Sequence, residues 1–292
     1  MEPLLVEIKQ DRPGFDRFIG SWVCLGNLNV AIDVGPSNSV HRLIRSLLER
    51  GIERIDFVLL SHIHLDHGGG LAEFLDQFPM ALAVCHQKGM RHLIEPSKLW
   101  ESSRKVLGDM AHLYGEPRPV PAERILPHTE PGIDGLEIIE TPGHAPHHLS
   151  FLYEDHLFVG EAGGNYFSLG ESDYLRPATP PLFYLENALE SLELILEKKR
   201  LPICYSHFGR ADDSHEMLKR SMEQLLLWKD VISGEGRRGK GLIEKKCVDL
   251  LLAKDPNLEA FGSMPVPVQQ RERWFLLNSI KGYLGYFSSL EN

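Results

Sequence analysis

The sequence is poor in cysteine, has no long apolar run and carries no excess of positive charge. Its four cysteines, Cys24, Cys85, Cys204 and Cys247, are scattered with no CxxC pair. That argues against a zinc ribbon or a disulfide framework, so a reducing compartment, the cytoplasm, is expected. No stretch approaches the ~20 apolar residues of a membrane-spanning helix. The opening "MEPLLVEIKQDRPG" has charges at positions 2, 7, 9, 11 and 12 and lacks the apolar core of a secretion signal. The formal charge of -10 opposes binding to a phosphate backbone, which needs a basic stripe. The one basic clump, "GEGRRGKG" at 234–241, is rich in glycine and reads as a solvated loop. The expected partner is therefore a small-molecule substrate rather than nucleic acid or a membrane. Self-association as a homo-oligomer stays open.

What is present is a globular composition, 42% hydrophobic and 25% charged over 292 residues. The first two-thirds alternates short apolar runs with helical patterns. Strands are expected at 4–8, 21–25, 29–34, 55–61, 81–86, 136–141, 148–154, 156–161 and 201–206. The runs on either side of Asp155 form a tight hairpin. Helices are expected at 39–51, closed by Gly51, at 69–78, stopped by Pro79, and at 182–200, with basic residues in its last turn. Such interleaving points to α/β layers. Residues 88–114 read as a helical insertion, and "EPRPVPAERILP" (116–127) as a proline-rich connection. Past 211 only helical patterns remain. The expected division is thus a domain at 1–211 and a helical C-terminal extension at 212–292, with Leu225, Leu226 and Trp228 in its core.

Five expected strands run into a residue able to bind or support a metal ion. "NVAI" runs into Asp33, "IDFVLLS" into His62, "LEIIETPG" into His144, "LFVG" into Glu161 and "ICYS" into His207. In layered α/β folds, ligands gather at strand ends. "SHIHLDHGGG" (61–70) adds His64, Asp66 and His67. His62 and His64, two apart, point to one side of an extended backbone. Asp66 and His67 lie past a turn and address a second point, while Gly68, Gly69 and Gly70 let the chain turn tightly into the next helix. Neutral imidazole suits zinc, iron and nickel, and carboxylate widens the choice to manganese. So many groups exceed the needs of one four-coordinate ion. Two ions roughly 3.5–4 Å apart would use them all.

In their order these landmarks resemble the metallo-β-lactamase-fold superfamily, whose HxHxDH signature matches "SHIHLDHGGG". The resemblance spans roughly residues 1–210 and implies a four-layer αβ/βα sandwich with metals in a cleft at its edge. It assigns His62, His64 and His144 to one ion and Asp66, His67 and His207 to the other, bridged by the acidic residue of "FVGEA". There the chain departs from the family, which usually has aspartate where this sequence has Glu161. The extra methylene moves the carboxylate by ~1.5 Å unless the backbone retreats at "AGG". Asp33 is expected to orient a histidine or a loop, and His148 either supports the site or is structural. His147 is expected at the surface or lining the cleft. His86, His92, His112, His128, His156 and His215 show no partner pattern. "GGNYFSLGESDYLRP" (163–177) either offers Asn165, Tyr166, Tyr174 and Arg176 to substrate or is a loop packed by its aromatics.

The resemblance implies a metal-dependent hydrolase with two divalent ions, zinc first, with iron or manganese as alternatives. In placement, the C-terminal helices resemble those of glyoxalase-II-like members. Two such ions, offset by Asp66, Glu161 and a hydroxide, leave about one positive charge and draw an uncharged or anionic carbonyl compound. Metal-activated hydroxide would attack a small ester, thioester or lactone, with Asp66 accepting and returning a proton. Two other readings stay open: a mononuclear iron persulfide dioxygenase using His62, His144 and Glu161, and a non-catalytic metal-binding protein. Metal count separates them.

Overall fold

The computed structural model describes residues 2–236 and 243–291, so positions 237–241 of the basic clump lie outside the described residues. The first sheet has six strands in chain order: β1 (Leu4–Glu7), β2 (Gly20–Cys24), β3 (Val30–Ile32), β4 (Phe57–Leu59), β5 (Leu82–Cys85) and β6 (Ile125–Pro127). Pairing is antiparallel from β1 to β3 and parallel from β3 to β6. Parallel neighbours need crossovers. These are α1 (Val40–Glu49), then α2 (Leu65–Gly68) with α3 (Leu71–Gln77), then α4 (Gln87–Ile94), α5 (Ser97–Leu107) and α6 (Asp109–Tyr114).

The second sheet starts with the antiparallel β7 (Glu137–Glu140), β8 (Leu149–Tyr153) and β9 (His156–Gly160). A separate hairpin, β10 (Asn165–Leu169) and β11 (Ser172–Arg176), follows. After α7 (Leu185–Leu196), β12 (Ile203–Tyr205) joins β9 in parallel and β13 (Arg210–Ala211) closes that edge. The chain ends in α8 (Ser214–Gly236), α9 (Ile243–Lys254), a 3-10 segment (Pro256–Ser263) and α10 (Val266–Leu290).

Period-two alternation makes the layers. Val30, Ile32, Leu59, Val84, Phe158 and Cys204 meet between the sheets, with Trp22 and Phe151. Their neighbours Ala31, Val58, Ala83, Leu157, Ile203 and Tyr205 face the helices. With both faces covered, these strands read as apolar runs. The result is helix, sheet, sheet, helix, the expected sandwich. The Trp22 indole N–H donates to the Tyr205 carbonyl at 2.9 Å and ties the sheets together.

The sequence reading of two segments needs correction. The proline-rich connection contains β6, and 163–177 forms a hairpin rather than a loop. Asn165, Tyr166 and Phe167 are all buried, as are Tyr174, Leu175 and Arg176, so no polar alternation betrays the strands. In the C-terminal helices, Trp228 and Leu225 are buried as expected, but Leu226 is 43% exposed. Positions 225 and 228 share a helix face, and 226 lies about 100° round from 225. All four cysteines are buried and free. Among the described residues, no helix is long and apolar enough to cross a membrane.

Candidate metal centre

Two groups of side chains converge where the strands end. In the first, His62, His64, His144 and Glu161 each offer a ligand atom within 4.8 Å of the others; in the second, Asp66, His67 and His207 do the same. The one-turn helix α2 carries Asp66 and His67, with His64 at its N-terminal boundary. Gly70 is needed there for space rather than for an unusual turn. Its φ of -90° is ordinary, but a Cβ would lie 2.5 Å from Val40 Cβ, where α1 crosses.

Glu161 stands between the groups. Its Oε2 is 2.9 Å from His144 Nε2 and 3.5 Å from His62 Nε2, while Oε1 is 3.4 Å from His207 Nε2. His67 Nε2 lies 3.4 Å from Oε2. Asp66 Oδ2 is 3.8 Å from His67 Nε2 and 3.7 Å from His207 Nε2. His64 Nδ1 and His144 Nε2 are 3.0 Å apart. Metal–nitrogen bonds of ~2.0–2.1 Å at tetrahedral angles put neighbouring ligand atoms ~3.3 Å apart. These spacings suit ion coordination. Moreover, His62 Nε2 and His67 Nε2 are buried without a hydrogen-bond partner, which is costly for nitrogen atoms that no ion engages. The residues fit divalent metal.

The opposite ring nitrogens are held from behind. His144 Nδ1 donates to the Ala178 carbonyl at 3.0 Å, His207 Nδ1 to the Phe18 carbonyl at 3.2 Å, and His67 Nδ1 to Asp33 at 3.0 Å. His62 Nδ1 meets the Ser61 hydroxyl at 3.0 Å. In the neutral ring each contact leaves the other nitrogen with its lone pair facing the centre. At His67 burial is outweighed by Asp66 and Asp33, which hold the imidazole well above its ordinary value. Burial, then the neighbouring imidazoles, hold His62 and His64 well below the ordinary imidazole value, in the neutral form a metal ion requires. Burial opposes the charge on Glu161 too, but His144 and His207 keep its carboxyl well below the usual range.

His148 lies outside both groups and contacts the backbone of Glu161. Its Nε2 accepts the Glu161 backbone N–H at 3.0 Å, which places the proton on Nδ1, 2.8 Å from Thr141 Oγ1. Burial pushes its pKa down to about 3, so the ring stays neutral. Gly160, at φ +60°, makes room for it, since a Cβ there would sit 2.4 Å from His148 Nε2. His147 is half-buried, its ring centroid 5.8 Å from that of His64. Asn165, Tyr174 and Arg176 are buried in packing on one face of the β10–β11 hairpin, and the Arg176 Nε donates to Glu272 at 2.6 Å. Tyr166 stacks near Tyr205, ring centroids 5.4 Å apart.

Sequence reasoning missed a third cluster. His86 and His128 stack at 4.4 Å and reach Glu140 at 3.2 and 3.0 Å. Separate strand ends deliver them, so no local motif could have revealed it. The backbone argues for a hydrogen-bonded clip rather than a metal site. His86 Nδ1 accepts the Lys88 N–H at 3.0 Å, and His128 Nδ1 accepts the Gln87 N–H at 3.3 Å. Both protons therefore sit on Nε2 and point at the carboxylate. His128→Ala is expected to leave metal content unchanged and to cost about 1–2 kcal/mol of stability. Elemental analysis and urea unfolding test this, and loss of one ion per chain would make the clip a metal site.

A four-layer α/β sandwich with a histidine- and carboxylate-rich edge defines a class of metal-site proteins. Within it, this chain belongs to the metallo-beta-lactamase superfamily, whose sequence profile matches residues 21–207. A metallo-beta-lactamase fold-containing protein of Sulfurisphaera tokodaii is 30% identical, over 70% of this chain and 77% of its own length. The crystal structure of a metallo-beta-lactamase family protein from Thermus thermophilus covers 99% of this chain and 93% of its own, with a TM-score of 0.62 at 18% identity. At that identity the likeness concerns the fold alone, and it includes the C-terminal helices. A hydroxyacylglutathione hydrolase of Xanthomonas campestris is 27% identical, over 62% of this chain and 58% of its own length.

Proposed function

We propose that this protein is a dinuclear metal-dependent hydrolase of a small ester, thioester or lactone, with zinc as the first candidate ion. His62, His64 and His144 would hold one ion and Asp66, His67 and His207 the other, with Glu161 between the two groups. The observation that carries this reading is the position of Glu161, whose Oε2 lies 2.9 Å from His144 Nε2 in one group and whose Oε1 lies 3.4 Å from His207 Nε2 in the other. Two bound divalent ions would polarise a carbonyl and lower the pKa of water towards ~7.

The chain's own residues do the rest. Asp33, Ser61 and the carbonyls of Phe18 and Ala178 pre-set the imidazoles, so no reorganisation is needed when charge develops. Asp66 has a 14% exposed side chain, against 7% for Glu161 and 2% for Asp33, so it is the site carboxylate best placed to take and return a proton. A narrow cavity beside His144 and Glu161 is walled by Ala178, Phe183, Ser221 and Leu225. The last two belong to α8, so the extension at 212–292 completes the site built on 1–211. Kinship with hydroxyacylglutathione hydrolases supports a thioester among the substrates, although a fold alone does not choose one.

Protein purified without chelators is expected to carry close to two ions per chain by elemental analysis. It should also hydrolyse members of an ester, thioester and lactone panel, with activity lost on metal removal and regained on reconstitution. One iron per chain, with oxygen uptake on a persulfide, would replace the hydrolase by a dioxygenase. No ion after reconstitution would sink both.

A further inference from the structure

We infer that the C-terminal helix α10 holds the second group's histidine in place through a stack of three side chains, Arg271, Phe18 and His207. The inference rests on the proposed two-ion centre and adds positioning residues from a part of the chain that supplies no ligand to it. The Phe18 ring lies 4.4 Å from the His207 ring at an interplanar angle of 16°, and the Arg271 guanidinium carbon lies 4.1 Å from the Phe18 centroid. Two groups that close cannot share one face of a benzene ring, so the phenyl is sandwiched between them. Phe18 also accepts the His207 Nδ1–H on its own carbonyl. One residue therefore sets both the plane of the imidazole and the nitrogen that carries its proton.

What fixes Phe18 comes from α10. Arg271 Nη1 donates to the Gly14 carbonyl at 2.6 Å, and its Nε donates to Glu272 at 2.7 Å. Glu272 also takes the Arg176 Nε, so two guanidiniums share one carboxylate and one positive charge is left over, all nearly fully buried. Aromatic faces receive that excess. Arg271 lies over Phe18 and also 5.1 Å from the Phe167 centroid, while Arg176 lies 4.5 Å from that of Phe275. A desolvated cation on an aromatic face is attracted to the ring's negative quadrupole, which clamps the phenyl. The clamp is seated close: a Cβ on Gly14 would lie 2.4 Å from the Pro267 carbonyl, in the first turn of α10.

The test is zinc titration of chelator-stripped, full-length protein against a competing chromophoric chelator. Wild type should show two binding steps. Arg271→Met and Phe18→Leu should each weaken one step by roughly 10–100-fold, the usual cost of losing a group that orients a metal ligand, and leave the other unchanged. Arg271→Lys keeps the cation and should fall between methionine and wild type. Two unchanged steps in Arg271→Met would overturn the inference. So would an equal weakening of both steps, which would mark general loss of the fold, or a lysine variant no better than methionine. A wild type with a single step would fail the two-ion reading itself, and the stack would have no ion to serve.

Discussion

Glutamine in place of Glu161 is expected to lower metal content from two ions per chain towards one. It should also cut kcat/KM by about 10²–10³-fold, since an ion supplies several kcal/mol of transition-state stabilisation and 1.36 kcal/mol is a factor of ten. The amide keeps the length and one acceptor oxygen, but its NH2 cannot coordinate a cation. Oε2 faces His144, His62 and His67, while Oε1 faces His207. An amide NH2 at the Oε2 position therefore meets both groups without an acceptor, one at the Oε1 position loses His207, and either rotamer removes the negative charge between the groups. Elemental analysis and steady-state kinetics read the two effects separately. Two tightly held ions in Glu161→Gln would show that the carboxylate does not join the groups. Glu161→Asp, which restores the family's usual residue, is also expected to bind worse than wild type. The Glu161 backbone N–H is pinned to His148 at 3.0 Å, so a side chain shorter by ~1.5 Å retracts from both groups.

The candidate ligands were readable in the sequence because four of them sit in six consecutive positions and the others stop apolar strands. That arrangement ties chemistry to a local pattern. The supporting groups have no such pattern. Phe18 lies in an unremarkable "RFIG", and its role depends on β12 delivering His207 beside it from 189 residues away. Ser206 and Ser61 bind Asp33 but look like any serine at a strand end. The β10–β11 hairpin was hidden for a related reason: Asn165, Arg176 and Tyr174 are polar residues that the fold buries, so polarity pointed to solvent in strands whose Arg176 is held by Glu272 of α10. Burial by a later helix is a property of the tertiary structure. Residues 163–177 alone do not encode it.

Asp33→Asn should be nearly as damaging as the loss of Glu161, although Asp33 touches the candidate ligands only through His67 and, by way of the Ser61 hydroxyl, His62. Four donors converge on its carboxylate: the Ser61 N–H at 2.8 Å, the Ser61 hydroxyl, the Ser206 hydroxyl at 2.8 Å and the His67 Nδ1–H at 3.0 Å. Two carboxylate oxygens offer about four lone-pair positions, so the group is saturated. Burial alone would raise its pKa, but the His67 imidazole and these hydrogen bonds hold it down, and it stays ionised. The amide has one oxygen and brings two new donors. With its NH2 at the Oδ1 position, the Ser61 backbone N–H is orphaned in the interior. With its NH2 at the Oδ2 position, it faces His67 Nδ1, which must then surrender its proton to Nε2, the atom aimed at the ions. Both rotamers are bad. Backbone strain does not confound the comparison, because Asp33 sits at φ +58° and asparagine tolerates the left-handed region as readily as aspartate. The expected cost is about 1–3 kcal/mol in stability, from one orphaned buried donor. The ion held by His67 should be bound roughly 10–100-fold more weakly, the typical penalty for losing an orienting carboxylate. Urea unfolding of the stripped protein gives the first number and chelator competition the second. Wild-type zinc affinity in Asp33→Asn would mean that His67 finds its tautomer without help, and the orienting role assigned to Asp33 would fall.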